Sequence, residues 1–235
     1  MIRNTLVTMF ASAGLVVIAT AAPKMEVPED TIDFGKTVQR VVLTHDFWIK
    51  SVGDDTLRIT GIEPGCGCTQ VPLKDTVLAP GDSTTLRIIF STGYFLGRVD
   101  KRPYIITNAS NEKTYLKVSA ELAVEPPSYW PVVIKPAVVD VSQFGEQPRR
   151  RARFLIENRL DKDLNIQVVD SSLKSFTVEI PEKVKARDSV SGLIIVRKDA
   201  VDTEFEESIT IEFDDEDRSR YSIPVKRMYL ASSGK

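Results

Sequence analysis

Apolar and polar residues alternate two by two along most of the chain. Leu86, Ile88 and Phe90 share one face of a segment, and Leu116, Val118, Ala120 and Leu122 share one face of another. Further on, Ala152, Phe154 and Ile156 alternate with Arg151, Arg153 and Glu157, and Ile209, Ile211 and Phe213 with Ser208, Thr210 and Glu212. A period of two marks strands with one buried face. Polar turn clusters separate them: Ala79-Pro80-Gly81-Asp82-Ser83, Asn108-Ala109-Ser110-Asn111 and Asp214-Asp215-Glu216-Asp217. No segment after the N-terminal apolar run has a helical period. The pattern predicts an all-β fold class of Ig-like antiparallel sheets packed as sandwiches, about seven strands to a unit.

The pattern also repeats. Ile32-Asp33-Phe34-Gly35 opens one unit and Val141-Ser142-Gln143-Phe144-Gly145 another. Each is followed by a strand and a polar turn: Phe47-Trp48-Ile49-Lys50 before Gly53-Asp54-Asp55, and Phe154-Leu155-Ile156-Glu157-Asn158 before Asp161-Lys162-Asp163. Leu57-Arg58-Ile59 and Leu164-Asn165-Ile166 then begin the next strand of each. Repetition at domain length predicts two tandem copies, over 24–124 and 132–231. The proline-rich stretch 125–131 makes a stiff linker that cannot join a sheet. Tyr129 and Trp130 within it are expected to wedge between the copies.

The first twenty-one residues have the order of a secretory signal: Arg3, an uncharged apolar run from Leu6 to Ile18, then Ala19-Thr20-Ala21 as a cleavage pattern. The apolar run is near the lower limit for a spanning helix, with no basic stop-transfer after it, so cleavage is expected and the mature chain has no membrane span. Export to the periplasm or the cell exterior follows. Cleavage removes one cation, Arg3, and moves the net charge from −2 to −3. That near-balance excludes a nucleic-acid partner, which demands a basic face.

Export changes how the two cysteines are read. Cys66-Gly67-Cys68-Thr69 places both thiols on one side of an extended segment, with Cα atoms roughly 6.5 Å apart. This lies at the upper end of the disulfide window of about 4.4–6.8 Å. Closing the bridge needs a bend, for which Gly65 and Gly67 are available. Three uses stay open: a structural turn of small residues, a strained bridge open to thiol exchange, or half of a soft-metal site. No Cys-x-x-Cys at a helix start is present to depress a thiol pKa. The metal use would recruit His45, the one histidine, to hold Cu(I). His45 falls in register with Val41, Leu43, Phe47 and Ile49, which suits a hydrogen-bonded histidine on a half-buried strand face better than a ligand or base. Asp46 points to the opposite face, so no triad can be built there.

Other features have plain explanations beside functional ones. Arg149, Arg151 and Arg153 line one strand face, where they either bind an anionic glycan or guard an exposed edge. Asp214 to Asp217 lack the spacing of a calcium loop and read as a hairpin turn. Asn108-Ala109-Ser110 matches a glycosylation sequon and also reads as a turn.

From Ile32 to about Asn108 the chain resembles the bacterial family known as domain of unknown function 1573, an Ig-like fold related to Hydin-type modules. The resemblance rests on Phe34-Gly35, Phe47-Trp48-Ile49-Lys50 with Gly53, Leu57 and Ile59, Cys66-Gly67-Cys68-Thr69, Pro80-Gly81-Asp82-Ser83, Phe90 with Gly97, and Thr107-Asn108. Ser51 stands where the family often has Asn before the turn. The second unit keeps this outline without cysteines, and Arg187-Asp188-Ser189 replaces its Pro-Gly turn. The resemblance implies an exported Ig-like module with no agreed activity.

The expected function is therefore a non-catalytic binding or scaffolding module without cofactors, whose partner is an envelope protein or a glycan. Its interaction loop is Glu63, Gly65, Gly67, Thr69 and Gln70, beside Cys66 and Cys68. The alternative is a thiol-redox or copper-binding protein centred on those cysteines.

Overall fold

The computed structural model describes residues 21–145, 149–170 and 175–230; residues 1–20, which carry the expected signal sequence, lie outside them. The first unit contains β1 (Met25–Glu26), β2 (Thr31–Val38), β3 (Val42–Ser51), β4 (Leu57–Glu63), β5 (Thr69–Gln70), β6 (Val77–Leu78), β7 (Ser83–Ser91), β8 (Gly97–Lys101), β9 (Tyr104–Thr107), β10 (Ser110–Tyr115) and β11 (Lys117–Ala123). The second contains β12 (Val132–Lys135), β13 (Val139–Asp140), β14 (Gln143–Phe144), β15 (Arg151–Asn158), β16 (Leu164–Asp170), β17 (Phe176–Glu179), β18 (Lys183–Val184), β19 (Ser189–Val196), β20 (Phe205–Phe213), β21 (Arg220–Arg227) and β22 (Tyr229–Leu230). The fold is all-β. Among the described residues the only helical turn is a 3-10 turn at Lys198–Ala200, and no helix is long and apolar enough to cross a membrane.

One sheet of each unit has the same strand order, β1-β3-β7-β5 in the first and β12-β15-β19-β17 in the second. The facing layers also correspond. β4 lies between β6 and β9, as β16 lies between β18 and β20. β8 and β9 occupy the place of the single strand β20, broken at Arg102-Pro103 because proline cannot donate to the ladder. Between the layers lie two cores, one around Phe34, Leu43, Phe47, Leu86 and Phe90, the other around Phe154, Phe176, Ile211, Phe213 and Tyr221.

The turn that lost its glycine kept its shape. Gly81 (φ +87°) and Arg187 (φ +56°) are both left-handed. Gly81 N–H donates to Ser51 O at 2.9 Å, and Arg187 N–H to Leu160 O at 3.0 Å. The buried Asn158 braces the second turn, its amide donating to Lys162 O and Lys185 O at 2.7 and 3.0 Å. Ser51, at the matching place in the first, has a buried hydroxyl with no partner.

The units are not beads on a string. β2 pairs in parallel with β11 of its own unit and, at Lys36 opposite Tyr221, with β21 of the other, so one sheet runs β18-β16-β20-β21-β2-β11-β8. Gly35 makes the joint possible. Its φ is +62°, and a Cβ there would lie 2.1 Å from Arg220 O. Beside the joint, Ser222 Oγ donates to Phe34 O at 2.8 Å. Along β3, where β1 has already stopped, Thr44 N–H donates to Ser208 Oγ at 2.9 Å and Ser208 N–H returns a bond to Thr44 Oγ1 at 3.1 Å. Ser208 and Thr210, polar positions that alternation assigns to solvent, are buried at this joint, as is Ser222.

Two further expectations change. Trp130 is buried in the second core, edge-on to Tyr221, while Tyr129 is 77% exposed, so the pair does not wedge together. Phe144 is 64% exposed although Phe34 is fully buried: β14 lies at the rim against the terminal strand β22, so the two Phe-Gly pairs are not equivalent. Arg151 and Arg153 stand exposed on the outer face of β15, in the stretch before Leu155 that pairs with β19 alone, since β12 covers only Leu155 to Asn158.

Three substitutions test this arrangement. Gly35→Ala, strained in φ and clashing with backbone, is expected to cost at least about 3 kcal/mol in urea unfolding. Asn158→Ala strips two carbonyls of their donor and should cost about 2–3 kcal/mol, whereas Ser51→Ala, which breaks no bond, should stay within about 0.5 kcal/mol.

Candidate interaction face

The segment with the cysteines begins where a strand is forced to stop. β4 pairs with β9 as far as Glu63 opposite Tyr104. Pro64 then offers no N–H, and Gly65 (φ +75°) turns the chain away, passing so close that a Cβ would lie 3.1 Å from Arg102 O. The chain crosses to the other sheet and lands on β7. Cys68 O accepts the Ser91 N–H at 2.9 Å, and Thr69 pairs with Phe90.

Cys66 and Cys68 are joined by a disulfide within this crossing, with Cα atoms 5.3 Å apart. Gly65 supplies the bend; Gly67 has no positive φ and nothing near its Cβ position. Thr69 is 3% exposed, its hydroxyl 3.4 Å from Cys66 Sγ, so it forms the inner side of the loop. Glu63, Gly65, Gly67 and Gln70 are exposed and form the outer side.

Next to this loop stands an apolar tip. Three residues beyond Ser91, Tyr94, Phe95 and Leu96 are 78%, 38% and 60% exposed. The base of the tip is locked. Thr92, fully buried, accepts the Val41 N–H through Oγ1 at 2.9 Å and donates that hydroxyl to Val41 O at 3.1 Å, while Arg40 N–H donates to Gly93 O at 2.8 Å. Cations flank it: the Arg40 guanidinium lies 5.4 Å from the Tyr94 ring centroid and Lys101 Nζ 4.2 Å from that of Phe95. Reading for alternation passes over this tip. Its available signal is three large apolar residues between Gly93 and Gly97, where the period of two breaks.

His45 does not join the cysteines. Its Nδ1 lies 2.9 Å from Asp170 across the joint between units, and its ring stands edge-on to Phe47. Beside it Arg87 pairs with Asp46 at 2.7 Å and reaches Glu207 at 3.4 Å. Burial pushes the Arg87 pKa down, but Asp46 and then Glu207 outweigh it and hold the guanidinium above its ordinary value. Among the described residues no group of three His, Cys, Asp or Glu side chains could hold a metal ion, and both sulfurs are in the bridge. The copper site expected as an alternative is not assembled.

The remaining candidates are turns. Asp214 accepts the Asn165 N–H at 2.7 Å, which holds its carboxyl below the usual range, and Asp215 accepts the Ser219 N–H. Asn108 spends its amide on Thr56 O and Arg58 N–H.

Residues 25–122 match the family described as "Protein of unknown function (DUF1573)". No curated protein matches the chain. Among solved structures, a protein of unknown function from Porphyromonas gingivalis W83 is 13% identical, with 86% of this chain and 98% of that one covered and a TM-score of 0.34. The ASH/PapD-like domain 7 of human CEP192 is 11% identical over 49% of this chain and 98% of that domain, TM-score 0.35. The VesB protease of Vibrio cholerae is 10% identical over 43% of this chain; the match spans only 31% of the protease, TM-score 0.34. At these TM-scores the likenesses carry no argument about partner or chemistry.

A ring closed across one intervening residue removes little entropy from the unfolded chain. The double variant Cys66→Ser with Cys68→Ser should therefore lose less than about 2 kcal/mol in urea unfolding and keep the circular dichroism of the parent.

Proposed function

We propose that this chain, whose residues 25–122 belong to the DUF1573 family, works by binding rather than by catalysis, as an exported module that docks a polypeptide partner on the face made by the Tyr94-Phe95-Leu96 tip and the Glu63–Gln70 loop. The exposure of three consecutive large apolar side chains on a hydrogen-bonded base is the observation that carries this reading. A rigid apolar projection costs solvation in the free protein and little ordering entropy on contact, which suits a docking anchor. Lys101 and Arg40 beside the rings favour a partner with acidic groups around its own apolar contact. Export is supported by the charged, apolar and small-residue order of the first twenty-one positions and by a cysteine pair suited to an oxidising compartment. A glycan partner would have to use Arg151 and Arg153 on the second unit, away from this anchor.

The partly exposed bridge supports a second reading, thiol exchange at Cys66–Cys68. The two are separable. Equilibrated in thiol buffers, a bridge still intact at about −300 mV behaves as structural disulfides do and removes the redox reading.

The docking reading is tested by placing a photoreactive amino acid at Leu96 and irradiating the native envelope. A discrete cross-linked product is expected, absent when Tyr94→Ser is added or when the same probe stands at Glu112. Equal background from both positions would sink the proposal.

A further inference from the structure

The forced stop of β4 leaves a strand-shaped slot. β8 is the terminal strand of its sheet and pairs only with β11, from Gly97 opposite Leu122 to Lys101 opposite Val118. On its other side β4 would continue, had Pro64 and Gly65 not turned the chain away. Among the described residues, no backbone hydrogen bond joins residues 97–101 to any segment but β11. The outward N–H and C=O groups of a five-residue strand are thus unpaired, and an edge in this state is a template for another strand.

The flank beside this edge is apolar and incompletely covered. Val99 on β8, Ile62 near the end of β4, and Cys68, Val71 and Leu73 beyond the crossing pack against the core while remaining only partly buried. The slot's surroundings are also basic. Lys101, Arg102 and Arg40 outnumber Asp100 and Glu63, in a chain whose overall charge is negative. The edge strand β10 of the adjoining sheet lacks these properties: its register shifts between Ser110 and Thr114, and most of its residues are polar and exposed.

We propose that β8 accepts an extended segment of a partner protein by strand addition, filling the place β4 vacates, with alternate apolar side chains against Val99 and Cys68 and the acidic ones, on the opposite face, toward Arg102. Main-chain bonds would supply affinity and the half-open flank the choice of side chains. The segment is about five residues long, bounded by the cysteine loop at the Lys101 end and the aromatic tip at the Gly97 end. This proposal deepens the docking reading above and depends on it for the face used.

The test is fluorescence anisotropy of the full mature chain with a labelled seven-residue peptide alternating glutamate and valine. Controls are a lysine-valine peptide and the glutamate-valine peptide N-methylated at alternate residues, which cannot complete a ladder. Saturable binding is expected, weakened at least about tenfold by N-methylation, by lysine for glutamate, and by Arg102→Glu in the protein. Absence of binding, or equal binding of the N-methylated peptide, overturns strand addition. So does a dimer in size-exclusion chromatography that the peptide fails to dissociate, since β8 would then be occupied by a second copy. Failure here with the Leu96 cross-link retained removes the slot and leaves the docking tip; loss of both removes the shared face.

Discussion

β2 is hydrogen-bonded on both of its edges, and everything about how the two units relate depends on that. A strand with β11 on one side and β21 on the other belongs to two domains at once. The approach is close enough that only a residue without a side chain fits at position 35. The polar face of β20 and β21 is consequently turned inward, where Ser208, Thr210 and Ser222 need partners. Thr44 serves the first, Thr210 and Ser222 bond each other, and Phe34 O takes the remaining hydroxyl proton. His45, Asp46 and Arg87 lie along the same joint with Asp170 and Glu207, so the chain's one histidine serves the junction between units.

Alternation made the strands and most of the core legible, because a strand's buried face is a local property of its own sequence. Leu86, Ile88 and Phe90, or Ala152, Phe154 and Ile156, need no knowledge of their neighbours. Long-range pairing leaves no such mark. The parallel contacts of β2 with β11 and β21 join segments far apart in sequence with no shared turn to announce them. Ser208 reads as solvent-facing for the same reason: Thr44, against which it is buried, lies more than a hundred and fifty residues away. The repeat was legible as an outline but not in detail, as Phe144 at the rim and Phe34 in the core show. At the candidate face, the cysteine loop stood out by its residue types. The Tyr94-Phe95-Leu96 tip did not, because apolar residues are assigned to a core unless something shows that no second layer covers them.

The cysteine loop owes its position to a proline and a left-handed glycine as much as to its sulfurs. Pro64 and Gly65 end β4 early and send the chain across the sandwich to β7. The second unit crosses at the corresponding place, from β16 to β17 on β19, but without cysteines. There β20 is unbroken and pairs with β16 where the first unit has the interrupted β8 and β9. The special surface of the first unit therefore arises from one interrupted strand pair, and the copy without cysteines is also the copy with the more complete ladder.

The doubly bonded β2 has a consequence for the proline-rich stretch that joins the units. Because the halves are already fastened by a shared ladder, by reciprocal Thr44 and Ser208 bonds and by buried ion pairs, a protease that severs the chain near Val124 or Tyr129, both exposed, would leave two fragments that migrate together under native conditions.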